Sequence, residues 1–218
     1  MYDLPHPLDI LSLQLPKEEF KRLIGKKIVS YWETKLRAEA SALPSLKYFR
    51  PEFMTLKSSH PIWWTAKSSP VKVRKASVQA LMLSGRYRTE ALVRHWSNNG
   101  NGMCLLSPEC SDQYEDIDHI LQQCPALDET RAYLANYTEK FLTKLDPQIS
   151  QIIKDLCKPS SPYFCQFLLD CSSIPTVVTL VQSVGSSCLS SMFEVARTWV
   201  FAIHRDRLRR LDRWMPGQ

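Results

Sequence analysis

The stretch CLLSPECSDQYEDIDHILQQCPAL, from Cys104 to Leu127, carries three cysteines and one histidine. The gaps separating Cys104, Cys110, His119 and Cys124 are five, eight and four residues. Thiolate sulfur and neutral imidazole nitrogen are the preferred donors for tetrahedral zinc. Two ligands on a short loop, followed by two at the start of a helix, is a usual way to close such a site. His119 and Cys124 stand just over one helical turn apart, which predicts a short helix over Ile117–Gln123. Asp116 or Asp118 can start that helix and Pro125 ends its regular hydrogen bonding. The four residues are expected to hold one structural zinc ion.

The same stretch resembles the zinc-binding domain at the C-terminal end of reverse transcriptases from non-LTR retrotransposons. That family has a cysteine pair, an acidic segment, a His-hydrophobic-Leu element and Cys-Pro. The counterparts here are Cys104 and Cys110, Asp112–Asp118, His119-Ile120-Leu121, and Cys124-Pro125. The last two gaps match the family's spacing, whereas the first is five residues where two are usual. Leu83-Ser84-Gly85-Arg86-Tyr87-Arg88 is similar to the family's Leu-x-Gly-x-Tyr element, and Ala126-Leu127 and Arg131 also fit. The resemblance covers roughly Pro51–Tyr137. It implies a non-catalytic zinc-binding tail of a reverse-transcriptase polyprotein, with an upstream reverse-transcriptase region and template RNA or target DNA as partners. With no polymerase or endonuclease motif present, the chain looks like a fragment of such a polyprotein.

A chain of 218 residues with 44% hydrophobic residues and only six glycines can bury a substantial core, and is neither disordered nor fibrous. Its net charge of +6 is a mild bias toward anionic partners. Seven cysteines would suit a disulfide scaffold, but MYDLPHPLDILSLQLPKEEF has no basic start and is interrupted by Asp3 and Asp9. The thiols are therefore expected to stay reduced in an intracellular, nuclear or cytoplasmic protein that is not secreted. Cys171–Phe193 has no ionised side chain, yet its serines, Gln182, Pro175 and Gly185 make it a poor membrane span. It reads as buried helix and turn.

The expected fold is mostly α, a helical domain with a small structural zinc knuckle, in regions 1–69, 70–145 and 146–218. Ser160–Pro162 is the strongest break. Met1–Pro16 is extended, and Lys17–Leu43 is a helix whose stripe from Phe20 to Leu36 should pack on the core. Pro44–Ser69 is an ordered loop, in which Trp63-Trp64 either offer stacking surfaces for bases or pin the loop to the core, the second being preferred. Val71–Ser84 is the second helix, ended by Gly85, and Thr89 opens the third, Glu90–Ser97. Lys72, Arg74 and Lys75 load the first turn of the second helix against its dipole.

From Glu109 to Glu129 there are seven acidic residues and no basic one, unlike a DNA-reading finger. Any phosphate contacts are expected from Lys72, Arg74, Lys75, Arg86, Arg88 and Arg94, and from Arg207, Arg209, Arg210 and Arg213 near the C-terminus. The last four also suit a helix C-terminus, and all ten suit a solvated surface. Further helices are expected over Glu129–Leu145, Pro147–Leu156, Tyr163–Leu169 and Ser186–Trp214. Thr176–Val184 is helical or, at Thr176-Val177-Val178, strand-like. Cys157, Cys165, Cys171 and Cys188 read as small buried hydrophobes.

No phosphate loop, paired polymerase aspartates or zinc-protease histidine pair is present. A thiol paired in space with His95 or His204 has no positive sign in the sequence. The chain is thus expected not to be an enzyme. The alternative to nucleic-acid binding is a zinc-stabilised helical module that docks a protein partner.

Overall fold

A computed structural model describes residues 15–53, 58–97 and 100–214, with side chains up to residue 212. Met1–Gln14 and the side chain of Arg213 lie outside the described residues. The fold is helical. Among the described residues no strand forms, and the one β feature is an isolated antiparallel bridge between Met103 and Tyr114.

The chain divides into two compact units, one up to Ser59 and one from His60. The first is built on α1 (Lys17–Ser41), which packs on 3-10 turns at Pro44–Leu46 and Pro51–Phe53. No side chain of α1 is fully buried. Within this unit, among the described residues, the apolar stripe of α1 meets only these two single-turn elements.

The second unit holds the core. Its helices are α2 (Pro61–Trp64), α3 (Pro70–Leu83), α4 (Glu90–Ser97), α5 (Asp128–Leu142), α6 (Pro147–Leu156), α7 (Phe164–Asp170), α8 (Pro175–Val184) and α9 (Cys188–Trp214). Helix α9 is the axis, packed against α3, α5 and α7. Met192, Phe193, Ala196, Trp199, Val200 and Ile203 recur at helical spacing on it and are all buried. The Trp199 ring meets Phe164 edge to face at 5.5 Å, and its Nε1 donates to Thr138 Oγ1 at 2.8 Å. Gln79 of α3, fully buried, donates to the Leu168 carbonyl at 2.7 Å and so fixes α3 against α7. Cys157, Cys165, Cys171 and Cys188 are all buried.

The expected border at 69/70 lies inside this unit, because Ile62, Thr65 and Ala66 of the preceding segment are buried in it. Ile62 is the anchor of that segment, whereas Trp63 is 41% exposed. The border at 145/146 lies inside it as well, since α6 packs on α5. Thr176-Val177-Val178 is helical, because Pro175 at the first position of α8 sets a helical φ and Val177 faces the core. The stretch Phe164–Val184 is long and apolar enough to cross a membrane, but 67% of that window is buried inside the fold. A 3-10 turn at Cys171–Ser173 and Pro175 also interrupt it.

Arg197 lies within the apolar face of α9 and has no exposed surface. Its guanidinium donates to Thr65 Oγ1 at 2.7 Å and to Glu194 at 3.4 Å, while Lys72 of α3 reaches the same carboxylate at 3.0 Å. The cations at the start of α3 are thus answered by a glutamate on α9. Replacing Arg197 with alanine removes a large buried side chain and the hydrogen bonds by which it ties α9 to Thr65. Chemical denaturation is expected to show a loss of about 2–4 kcal/mol, with the fold otherwise retained.

Candidate metal centre

Two turn geometries deliver the protein to this centre. Helix α3 ends at Gly85, whose φ is +65°, with Arg86 N–H bonded to the Leu81 carbonyl and Gly85 N–H to that of Met82. This is the paired closure that a left-handed residue after a helix permits. Thr89 then caps α4 through its Oγ1, which accepts from Leu92 N–H at 3.1 Å.

A short hairpin follows. Cys104 N–H donates to the Gln113 carbonyl at 2.8 Å, and Glu115 N–H to that of Gly102 at 2.9 Å. Gly102 has φ +78°, and a Cβ there would lie 2.6 Å from Cε2 of Tyr114, so only glycine fits. The five-residue gap after Cys104 is taken up by Leu106, which is buried, and by a 3-10 turn over Pro108–Cys110 capped by Ser107. The longer gap therefore does not remove Cys104 from the cluster.

His119 and Cys124 come from the expected helical segment, but its form differs. Asp116 Oδ1 caps it by accepting from His119 N–H at 2.8 Å. From His119 to Gln123 it is a π turn, closed by Cys124 N–H on the His119 carbonyl at 2.7 Å. Five steps along an α-helix would leave the two side chains about 140° apart. The wider turn closes from residue i to i+5 and brings Cys124 round beneath His119. Cys124 itself is extended, as the residue before a proline tends to be.

The donor atoms of Cys104, Cys110, His119 and Cys124 all lie within 4.8 Å of one another, and all four residues are buried. The sulfurs of Cys104 and Cys110 are 3.8 and 3.9 Å from that of Cys124. Metal–sulfur bonds of about 2.3 Å in a tetrahedron put thiolates about 3.8 Å apart. His119 Nε2 is buried and has no hydrogen-bond partner among the described residues, which a metal ligand would explain. The cluster could hold a metal ion.

Arg131, 5% exposed, closes the site from α5. It donates to the carbonyls of Ile120 and Cys124 and to Asp128, so it satisfies the end of the π turn and sets a positive charge near the thiolates.

Glu115, at the end of the hairpin, is completely buried. Its two oxygens accept from Arg207 Nε at 3.0 Å and Nη2 at 2.8 Å, and Oε2 also accepts from Glu90 N–H at 2.7 Å. Burial works against the Arg207 charge, but the hydrogen bonds and charge of Glu115 outweigh it and hold the guanidinium above its ordinary value. Glu115 is thus not one of the solubilising carboxylates of the knuckle. Nor is Arg207 open to phosphate, being 3% exposed; this corrects its expected role, because both faces of its fork are satisfied inside.

Of the other expected phosphate contacts, Lys72 pairs with Glu194, Lys75 donates to Thr198 Oγ1 at 3.3 Å, and Arg210 pairs with Asp206. Arg94 is exposed and donates to the Asn101 carbonyl. Arg74, Arg86, Arg88 and Arg209 are exposed, with no carboxylate in pairing distance among the described residues. Arg197 and the Glu115–Arg207 pair escaped sequence reading, although both arginines fall in phase with Phe193, Val200 and Ile203 on α9.

No protein-family model matches this chain, and no curated protein and no solved structure matches it either.

Metal affinity is expected to rise steeply with pH. Without metal, a hydrogen bond that the Cys104 thiol donates to Cys124, and then burial, push that thiol far up, and burial first pushes that of Cys110 up to about 11. Both hold protons at neutral pH and must release them to ligate. Burial holds His119 below its ordinary value, so its ring is already neutral. Competition against a chelator should then show affinity climbing by roughly a hundredfold or more per pH unit near neutrality. Glu115→Gln is expected to lower stability by about 3–5 kcal/mol in denaturant titration, because it leaves Arg207 buried without its countercharge.

Proposed function

We propose that the chain is a non-catalytic, zinc-stabilised helical module of the kind that ends the reverse-transcriptase polyproteins of non-LTR retrotransposons, and that it engages RNA or DNA there. One observation carries the reading: four buried donors, three thiols and one imidazole, at the separations a tetrahedral zinc requires. Four protein ligands fill that shell and leave no position for water or substrate, which makes the ion structural. The order Cys, Cys, acidic segment, His-Ile-Leu, Cys-Pro is what supports the retroelement origin.

The nucleic-acid part of the reading is supported by the exposed, carboxylate-free arginines Arg74, Arg86, Arg88 and Arg209. A protein-docking scaffold is the second reading. It is favoured by the fact that Lys72, Lys75, Arg207 and Arg210 already have partners within the fold.

Purified protein is expected to carry one zinc per chain by metal analysis, lost with chelator and in His119→Ala. Joint replacement of Cys157, Cys165, Cys171 and Cys188 by alanine should lower stability yet leave the zinc content unchanged. For nucleic acid, the logarithm of affinity should fall linearly with the logarithm of salt, by about 0.9 per phosphate contact on duplex DNA. Arg74→Glu with Arg209→Glu should flatten that slope at constant zinc content. Absence of salt-dependent binding by the zinc-loaded chain would remove nucleic acid from the reading and leave the zinc assignment intact.

A further inference from the structure

A groove of about 470 Å³ runs between the α3–α4 turn and the C-terminal part of α9. Three leucines line it: Leu81 from α3, and Leu208 and Leu211 from α9. Leu81 is 46% and Leu208 42% exposed, so the groove presents open aliphatic surface from two packed helices. Arg86 and Arg88 line the same groove. Both leave the tight turn after Gly85 and flank Tyr87, which points inward and is 6% exposed. The Tyr87 hydroxyl bonds His204 Nδ1 at 2.9 Å, and the Arg207 guanidinium lies 5.5 Å from the Tyr87 ring centre. The turn that presents the two arginines is therefore fixed to α9 from beneath. Burial, and after it the charges of Arg207 and Arg74, hold His204 below its ordinary value.

We infer that this groove docks a short acidic, leucine-bearing segment of a partner protein. Apolar side chains of the segment would cover Leu81, Leu208 and Leu211, and its carboxylates would meet Arg86 and Arg88. The size lies within the range of ordinary ligand clefts, and an apolar stripe edged by charge is the pattern by which grooves select amphipathic segments. A polynucleotide fits less well. It has no aliphatic side chain to cover three leucines, and Glu90 and Asp212, which also line the groove, would oppose a continuous run of phosphates. This inference goes beyond the nucleic-acid reading, and the two fail separately.

The test uses the full, zinc-loaded chain and two probes. One is a fluorescent synthetic peptide with leucines on one helical face and glutamates beside them; the other is a labelled oligouridylate. The peptide is expected to bind, with affinity lowered about tenfold or more by Arg86→Glu with Arg88→Glu, and likewise by Leu208→Asp. A control peptide with lysine in place of glutamate should not bind. The three substituted residues are exposed, so zinc content and helicity should be unchanged, and both are measured. Oligouridylate binding that survives Arg86→Glu with Arg88→Glu agrees with the inference and places nucleic acid elsewhere. The inference is overturned if the acidic peptide binds no better than the lysine control, or if its binding ignores the groove substitutions. It is equally overturned if oligouridylate alone depends on Arg86 and Arg88, which would assign the groove to nucleic acid.

Discussion

The carboxylate of Glu115 is sealed from water, and three separate parts of the second unit converge to supply its partners. An ionised group in an apolar interior is tolerated only when paired and fully hydrogen-bonded. Arg207 arrives from the last helix, the Glu90 amide from the start of α4, and Glu115 itself from the end of the short hairpin that also carries Cys104 and Cys110. A pair of this kind adds less to net stability than its contacts suggest, since both charges had to leave water. What it contributes is choice among packings. Sliding α9 by one turn past the hairpin would bury two unmatched charges, so a single placement of the axis helix is favoured over its neighbours.

The hairpin joins this ion pair to the metal centre. Gly102–Cys104 and Gln113–Glu115 make too small a β feature to persist in water by itself. Its Cys104 and Cys110 belong to the donor cluster, and its Glu115 belongs to α9 and α4. Arg131 adds a countercharge and hydrogen bonds from α5. The knuckle thus acts inward. Its charged groups that matter most to the fold face other helices, and the basic surface of the unit is displayed by the helices and turns it braces.

The grouping of the three cysteines and the histidine, the helical class and most helix limits were legible because each rests on local signals: cysteine spacing, Gly85 after α3, Thr89 before α4, and the stripe on α9. Arg197 and Arg207 were less so. Arg207 stands near the helix C-terminus, where a cation suits the macrodipole, so the local explanation was sufficient and its burial went unseen, while Arg197 lies mid-helix with no motif to mark it. Their phase with Phe193 and Ile203 was the available clue, and only a partner distant in sequence could give it meaning. Of the pair expected to pin the loop, Trp63 is exposed and Trp64 half-buried, and the fully buried residue is their neighbour Ile62.

The π turn from His119 to Gln123 has a bearing on how this chain relates to others. A turn closed from residue i to i+5 is what an ordinary helical turn becomes when one residue is inserted and the flanking chain stays in place. Here the extra residue is absorbed between two members of the donor set, where the demand that both reach the same point keeps the bulge from migrating or relaxing. Chains with three residues between the histidine and the last cysteine would carry the same pair on a plain α-helical turn. The spacing of the pair and the form of the turn are therefore set together, and the wide turn is what lets a gap of four residues serve one donor cluster.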